Sequence, residues 1–211
     1  MKLALSRVHY PVRSLGPGTR VAIWFQGCSI HCRGCISLDT WVPNRGVTTV
    51  EDVFNLIRHW LERADGVTIS GGEPFDQIGA LRELLVKIRR AHTGDVLVYS
   101  GYSFESLLEK LKAFEGLIDA LIADPFQIDI AQSLPLRGSD NQRLVTFTPL
   151  GKERFRQFDR AVNPSDRYLD VMFDDVTSEV WFAGIPSRGD FGRLAGLLTT
   201  ATTWVKATES V

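Results

Sequence analysis

Cys28, Cys32 and Cys35 are the only cysteines in 211 residues, and they fall within eight positions as C-x3-C-x2-C. Thiolates are the usual ligands of iron–sulfur clusters, and three on one short loop can each reach a different iron of a cubane. Three ligands leave one iron without a protein partner. An open metal position is where a substrate binds, as catalytic zinc sites show. A disulfide framework suits the motif poorly, because the number is odd and such close cysteines pair only with strain. A structural zinc needs a fourth ligand, which His9 or His59 would have to supply, and paired C-x2-C knuckles are its usual mark. Here a single C-x2-C step occurs. The motif points to a [4Fe–4S] cluster with one open iron, with zinc as the alternative.

Other polar groups sit at expected strand ends. Ser70-Gly71-Gly72-Glu73 lies where a strand stops and a helix begins. Glycines without Cβ let backbone groups approach a ligand closely, and a carboxylate at Glu73 accepts from a bound cation. The plainer reading is a βα turn whose acidic residue favours the helix N-terminus. Ser100, at the next strand end, is either a hydroxyl for a ligand or part of a solvated turn packed by Tyr99 and Tyr102. The run Arg137-Gly138-Ser139-Asp140-Asn141-Gln142-Arg143 places two guanidinium groups on one loop. A guanidinium suits a carboxylate-bearing ligand; a polar loop capping the mouth of the fold is the alternative.

Such groups need a scaffold, and the hydrophobic pattern indicates one. Residues 19–26 (TRVAIWFQ) read as a buried strand, with Trp24 and Phe25 in the core. Residues 27–47 read as a long, functional loop. Residues 49–64 read as a helix, with Val50, Val53, Phe54, Ile57, Trp60 and Leu61 at helical spacing. Thr48 and Glu51 fit a capping box there. Residues 66–70 form a strand ending in Gly71-Gly72. A helix with Ile78, Leu81, Leu85 and Ile88 on one face follows. Residues 95–99, 117–123 and 144–148 are further strands. Ser103 caps a helix carrying Phe104, Leu107, Leu108 and Leu111. Residues 166–173 and 178–183 suggest a hairpin, and Asp190 caps a last helix with Phe191, Leu194, Leu197 and Leu198. The alternation predicts an α/β fold with parallel strands and helices outside. At about 130 residues the series is too short for a closed eight-unit barrel. We expect one domain, 1–211, with a core at about 15–148 and a C-terminal extension at about 150–211.

Composition narrows the class. A net charge of −1 offers no basic excess for nucleic acid. The start, MKLALSRVHYPVRS, is too short and too charged for a signal peptide. No apolar run approaches the roughly 20 residues of a membrane span. A soluble, cytoplasmic protein is expected. His59 reads as a partly buried surface residue, Arg188-Gly189-Asp190 as a helix start, and Lys87, Arg89 and Arg90 as a solvated helix end.

C-x3-C-x2-C after an apolar strand resembles the radical S-adenosylmethionine (SAM) superfamily. More narrowly, the chain resembles the activating enzymes of anaerobic ribonucleotide reductase and related glycyl radical enzymes. Gly16-Pro17-Gly18, Thr68-Ile69-Ser70-Gly71-Gly72-Glu73-Pro74, Val98-Tyr99-Ser100-Gly101-Tyr102 and Arg137 through Arg143 match that branch in order. The resemblance covers roughly residues 15–148 and implies a partial (β/α)6-type radical SAM barrel. It implies that SAM binds the open iron and is cleaved to a 5′-deoxyadenosyl radical. It also implies that Ser70, Gly71, Gly72 and Glu73 hold the methionine amine and Ser100 the ribose. Gly34 and Ile36 would lie under the adenine. Arg137, Asn141 and Arg143 would meet SAM's carboxylate or the substrate.

The partners so implied are a flavodoxin- or ferredoxin-type electron donor and a glycyl radical enzyme. Where the activases usually carry an aromatic or His and then Asn after the third cysteine, this chain has Ile36-Ser37, although Asp39-Thr40-Trp41 still matches. That departure and the long extension leave a small metabolite or peptide open as substrate. A non-catalytic, metal-stabilised binding module is the third possibility.

Overall fold

The computed structural model describes residues 1–174 and 179–199. Its strands, in chain order, begin with β1 (Lys2–Val12), β2 (Arg20–Phe25), β3 (Val47–Thr49), β4 (Gly66–Gly71), β5 (Asp95–Tyr99), β6 (Ala120–Ala123) and β7 (Arg143–Thr146). They form one sheet in the order β3-β1-β2-β4-β5-β6-β7. The centre, from β2 through β6, is parallel. Both edges are antiparallel: β1 runs against β2 and β3, and β7 runs against β6.

Alternation along the strands divides the core. Val21, Ile23, Phe25, Val67, Ile69, Val96, Val98 and Leu121 face three helices, α1 (Val50–Leu61), α2 (Ile78–Ala91) and α3 (Phe104–Leu111). Their neighbours point to the opposite face, as a period of two requires. There Ala22 and Trp24 pack with Met172 and Ala183, and Leu97, Ala120 and Ile122 pack with Leu136 and Phe155. Phe155 belongs to α4 (Pro149–Phe155), and Met172 and Ala183 to a hairpin of β8 (Asp170–Asp174) and β9 (Glu179–Ala183). Residues beyond the last sheet strand therefore cover the face that the first three helices leave bare. Both faces of the parallel centre are buried, which is why its strands read as continuous apolar runs.

A polar cluster centred on Arg20 lies inside this core. Arg20 is fully buried, and its guanidinium donates to Thr68 Oγ1, Pro17 O, Val67 O and Asp95 Oδ1 at 2.6–2.9 Å. Arg154 of α4 reaches the other Asp95 oxygen at 3.1 Å. A Cβ on Gly16, whose φ is +140°, would stand 2.8 Å from Arg20 Nε. The Gly16-Pro17-Gly18 turn is thus fitted around a buried ion pair.

Several sequence expectations need correction. β1 and β3 were not expected. β7 (Arg143–Thr146) overlaps the strand predicted at 144–148, begins one residue earlier and runs antiparallel. The strand expected over 117–123 is confined to Ala120–Ala123. The cap of α1 is Thr49, which accepts from the Asp52 amide, one residue later than expected. Ser103 does cap α3, accepting from the Ser106 amide. Ile78 and Leu108 are exposed, and Leu84 is buried in the stripe of α2 instead. His59 is exposed. Arg89 is not a solvated helix end: it donates to Leu117 O and Gly94 O and pairs with Asp119. A last helix, α5, spans Asp190–Thr199. The side chains of Phe191, Leu197 and Leu198 lie outside the described residues.

Candidate functional site

The cysteine loop leaves the C-terminal end of β2. Gly27, at φ +95°, turns the chain. Its amide donates to Thr40 O at 2.7 Å, and the Cys28 amide to Trp41 O at 3.2 Å. These bonds close the loop at its base. His31 (φ +52°) and Gly34 (φ +75°) add two left-handed turns. His31 is a non-glycine residue in that conformation, and its ring stacks on Trp41 at 4.6 Å between centroids. A Cβ at Gly34 would stand 2.5 Å from Ile128 Cδ1, so glycine there lets the β6–β7 loop close on the motif.

The three thiols are free and half-buried. Burial pushes Cys28 and Cys32 up, and the neighbouring cysteines add to the shift. The sulfurs thus lie within electrostatic reach of one another. A bound metal reverses this logic and takes the thiolates. The Ser37 amide is 3.4 Å from Cys35 Sγ. Among the described residues, no three His, Cys, Asp or Glu side chains gather around a single-ion position. A cubane places each thiolate on a separate iron. The donor set fits a cluster held by three cysteines.

The turn after β4 braces this loop. Gly72 N donates to Phe25 O, and Glu73 N to Gly27 O. A Cβ on Gly71 would lie 2.4 Å from Phe25 backbone atoms, and one on Gly72 2.0 Å from Gly27 O. The backbone of β2 approaches Gly71, and that of the cysteine loop's base, Gly27 and Thr40, approaches Gly72. Ser70 follows on the strand face of Thr68, away from the helices. Glu73 is fully buried. Its carboxylate accepts from Phe75 N, Ser100 Oγ and Gly101 N at 2.8–2.9 Å. Burial pushes it up to about 7, against those three donors. Ser100 is buried and also accepts from the Tyr102 amide.

The run Arg137 through Arg143 mostly braces its own loop. Ser139 Oγ accepts from Gln127 N, Asp140 from Ser133 and Leu134, and Gln142 from Gly138 N. Asn141 Nδ2 donates to Pro125 O. Arg143 is engaged by Glu105 and Asp124 through four hydrogen bonds. Two groups are left over. Arg137 is 7% exposed, and its Nε and Nη1 are buried with no hydrogen-bond partner among the described residues. Asn141 Oδ1 is buried and unpartnered as well. A buried, unpaired guanidinium is costly unless an anion meets it. Ile36 is 47% exposed beside the third cysteine. A cleft of about 360 Å³ opens against Cys28 and is also lined by Gln26, His31, Asn44, Asp76 and Gln77.

Comparison with known proteins decides the family. A family model described as a 4Fe-4S single cluster domain matches residues 14–145. The anaerobic ribonucleoside-triphosphate reductase-activating protein of Escherichia coli K12 is 32% identical over 143 residues, covering 64% of this chain and 93% of that protein. Its counterpart from phage T4 is 33% identical over 142 residues, covering 63% and 87%. The pyruvate formate-lyase-activating enzyme of Listeria monocytogenes is 31% identical over 159 residues, covering 70% of this chain and 64% of that enzyme.

The chain belongs to this radical SAM activase family. It is therefore an enzyme, and the binding-module alternative falls. The family match spans the sheet from the approach to β2 into β7 and stops before α4. It includes the cysteines, the Ser70–Glu73 turn, Ser100 and the Arg137 loop. Sequence reasoning missed the links that Asp76 and Gln77 make between these loops, and with them the tie to Tyr102. Gln77 bridges Ala4 and Gln26, and Asp76 holds Ser29 and Tyr102. Asp76 falls where acidic residues favour helix starts, and nothing in one sequence marks its partner across the fold. Among the described residues, no helix is long and apolar enough to cross a membrane.

Proposed function

We propose that this enzyme reductively cleaves SAM and takes a hydrogen atom from a glycine of a glycyl radical enzyme such as anaerobic ribonucleotide reductase. Cys28, Cys32 and Cys35 hold the [4Fe–4S] cluster, leaving one iron for SAM. The bound cluster supplies the electron that splits SAM into methionine and a 5′-deoxyadenosyl radical. The donor of that electron is of the flavodoxin or ferredoxin type. The sheet and its helices form a partial (β/α)6-type radical SAM barrel, and residues 1–211 act as one domain, with about 150–211 as an extension.

The chain's own residues bind and orient. Arg137 and Asn141 take SAM's carboxylate and amine at one end. The buried Nε and Nη1 of Arg137, without a hydrogen-bond partner among the described residues, are the observation that carries this assignment. Ser70, Gly71 and Gly72 offer backbone groups to the methionine end. Glu73 holds Ser100 and the Gly101 amide in place for the ribose. Gly34 and Ile36 form an apolar rest for the adenine. Arg143, bound to Glu105 and Asp124, keeps the loop shut behind them.

A small metabolite or peptide substrate is the second reading, favoured by the exposed Ile36 and by Ser37. The two differ in one experiment. The loaded enzyme, reduced flavodoxin and SAM are mixed with an anaerobic ribonucleotide reductase, and glycyl radical formation is followed by electron paramagnetic resonance (EPR). A radical on the reductase supports the first reading; cleavage of SAM without one supports the second. Arg137→Met should weaken SAM binding about ten- to a hundredfold, the range for a hydrogen bond to a charged group. Equilibrium dialysis checks this, and unchanged affinity would remove Arg137 from the site.

A further inference from the structure

Asp76 lies outside every motif from which the cluster was inferred, yet it joins two functional loops. Its Oδ2 accepts from the Ser29 amide at 2.8 Å. Its Oδ1 accepts from Ser29 Oγ at 2.9 Å and from Tyr102 Oη at 2.7 Å. Tyr102 Oη also stands 3.0 Å from Ser29 Oγ, so the three side chains close a triangle. The short 3-10 turn that carries Asp76, Pro74–Gln77, is itself fixed. Glu73 before it anchors Ser100 and Gly101, and Gln77 donates to Ala4 O and Gln26 O. A carboxylate so mounted has little freedom.

We propose that Asp76 is a positioning residue for the cysteine loop, pinning the peptide after Cys28 and tying it to Tyr102 beyond β5. The inference rests on Cys28 as a cluster ligand. The His31 and Ile30 amides favour the Cys28 thiolate electrostatically, while the Ser29 amide between them and the cysteine is held by Asp76. Fixing Ser29 sets the direction of the next two N–H groups. Hydrogen bonds to cluster sulfurs tune the potential, and partners beyond the ligands orient them. Asp76 is exposed, so its charge is screened by water and salt. Its geometry, rather than its charge, is what the loop uses.

Two readouts separate these effects. In the metal-free protein, Asp76→Ala should speed hydrogen exchange at the Ser29 amide by about tenfold or more, as loss of a charge-assisted hydrogen bond allows. Tyr102→Phe should speed it in the same direction by less. In the reconstituted protein, Asp76→Ala should move the cluster potential to a more negative value, because the N–H donors facing Cys28 lose their aim. Asp76→Glu, which keeps the charge but shifts its reach, should move it the same way. A positive shift in Asp76→Ala, with Asp76→Glu like the wild type, would assign the effect to charge and overturn the positioning role. Unchanged Ser29 exchange in both Asp76→Ala and Tyr102→Phe would overturn the clamp outright. If the wild type takes up no iron and sulfide, the cluster reading fails on its own, and the exchange data still judge the clamp.

Discussion

At the scale of single residues, the site is held by groups that leave little tolerance. Gly72 is the clearest. A Cβ there would meet Gly27 O at 2.0 Å, Gly27 C at 2.6 Å and Thr40 O at 3.0 Å, all backbone atoms. Gly72→Ala should therefore cost about 1–3 kcal/mol, the usual range for overpacking. Urea unfolding of the metal-free protein checks this, and an unchanged midpoint would contradict it. Glu73 gives a pH signature. Burial lifts it from 4.5 to about 7, so the folded state favours its neutral form. The stability from this group is complete below about pH 4.5, declines as pH rises, and is lost above about 7. The decline should vanish in Glu73→Gln; an equal decline in wild type and variant would contradict the assignment. The cysteine motif stands out in the sequence because residue type and spacing carry it, and the family match includes it. The role of Glu73 as an anchor for Ser100 does not stand out. Its partner lies 27 residues away, at the end of another strand.

At the scale of elements, the buried parallel strands were legible and the edges were not. β2, β4 and β5 are apolar runs because helices cover one face and the C-terminal residues the other. β1 carries Ser6, Arg7 and His9 among its apolar residues. It is only partly buried, and its pattern is broken accordingly. The direction of β7 leaves no mark in composition, since an antiparallel and a parallel edge strand can share one pattern. The cap of α1 slipped by one because Thr48-Glu51 and Thr49-Asp52 offer the same signal. The chain registers on the second, where Thr49 accepts from the Asp52 amide at 3.1 Å. Elements are also joined by a pair that no periodicity reveals. Arg20 of β2 and Asp95 of β5 are both fully buried and meet at 2.6 Å. Arg20→Met should destabilise the fold by about 3–5 kcal/mol, because Asp95 is left as a buried charge. Arg154 still reaches Asp95, which sets the expectation at the lower end. Chemical denaturation checks it, and a loss under about 1 kcal/mol would contradict the account.

At the scale of the whole molecule, chemistry and stability occupy opposite ends of the parallel strands. The cysteine loop, the Glu73 turn and Ser100 follow the C-terminal ends of β2, β4 and β5. The Arg20–Asp95 pair and the Gly16–Gly18 turn lie at their N-terminal ends. The turn after β4 ties the cysteine loop and the Ser100 turn together through Glu73, Asp76 and Gln77. Helix α4 and the hairpin close the face away from the first three helices. Their residues lie largely beyond the family match, which ends at residue 145. We propose that this assembly splits SAM at a three-cysteine cluster. Anaerobic reconstitution, reduction with dithionite and addition of SAM, with products read by chromatography and mass spectrometry, tests it most directly. We expect 5′-deoxyadenosine and methionine from the wild type and none from Cys32→Ala. A colourless, zinc-bearing protein that leaves SAM intact, or equal product from Cys32→Ala, would contradict it.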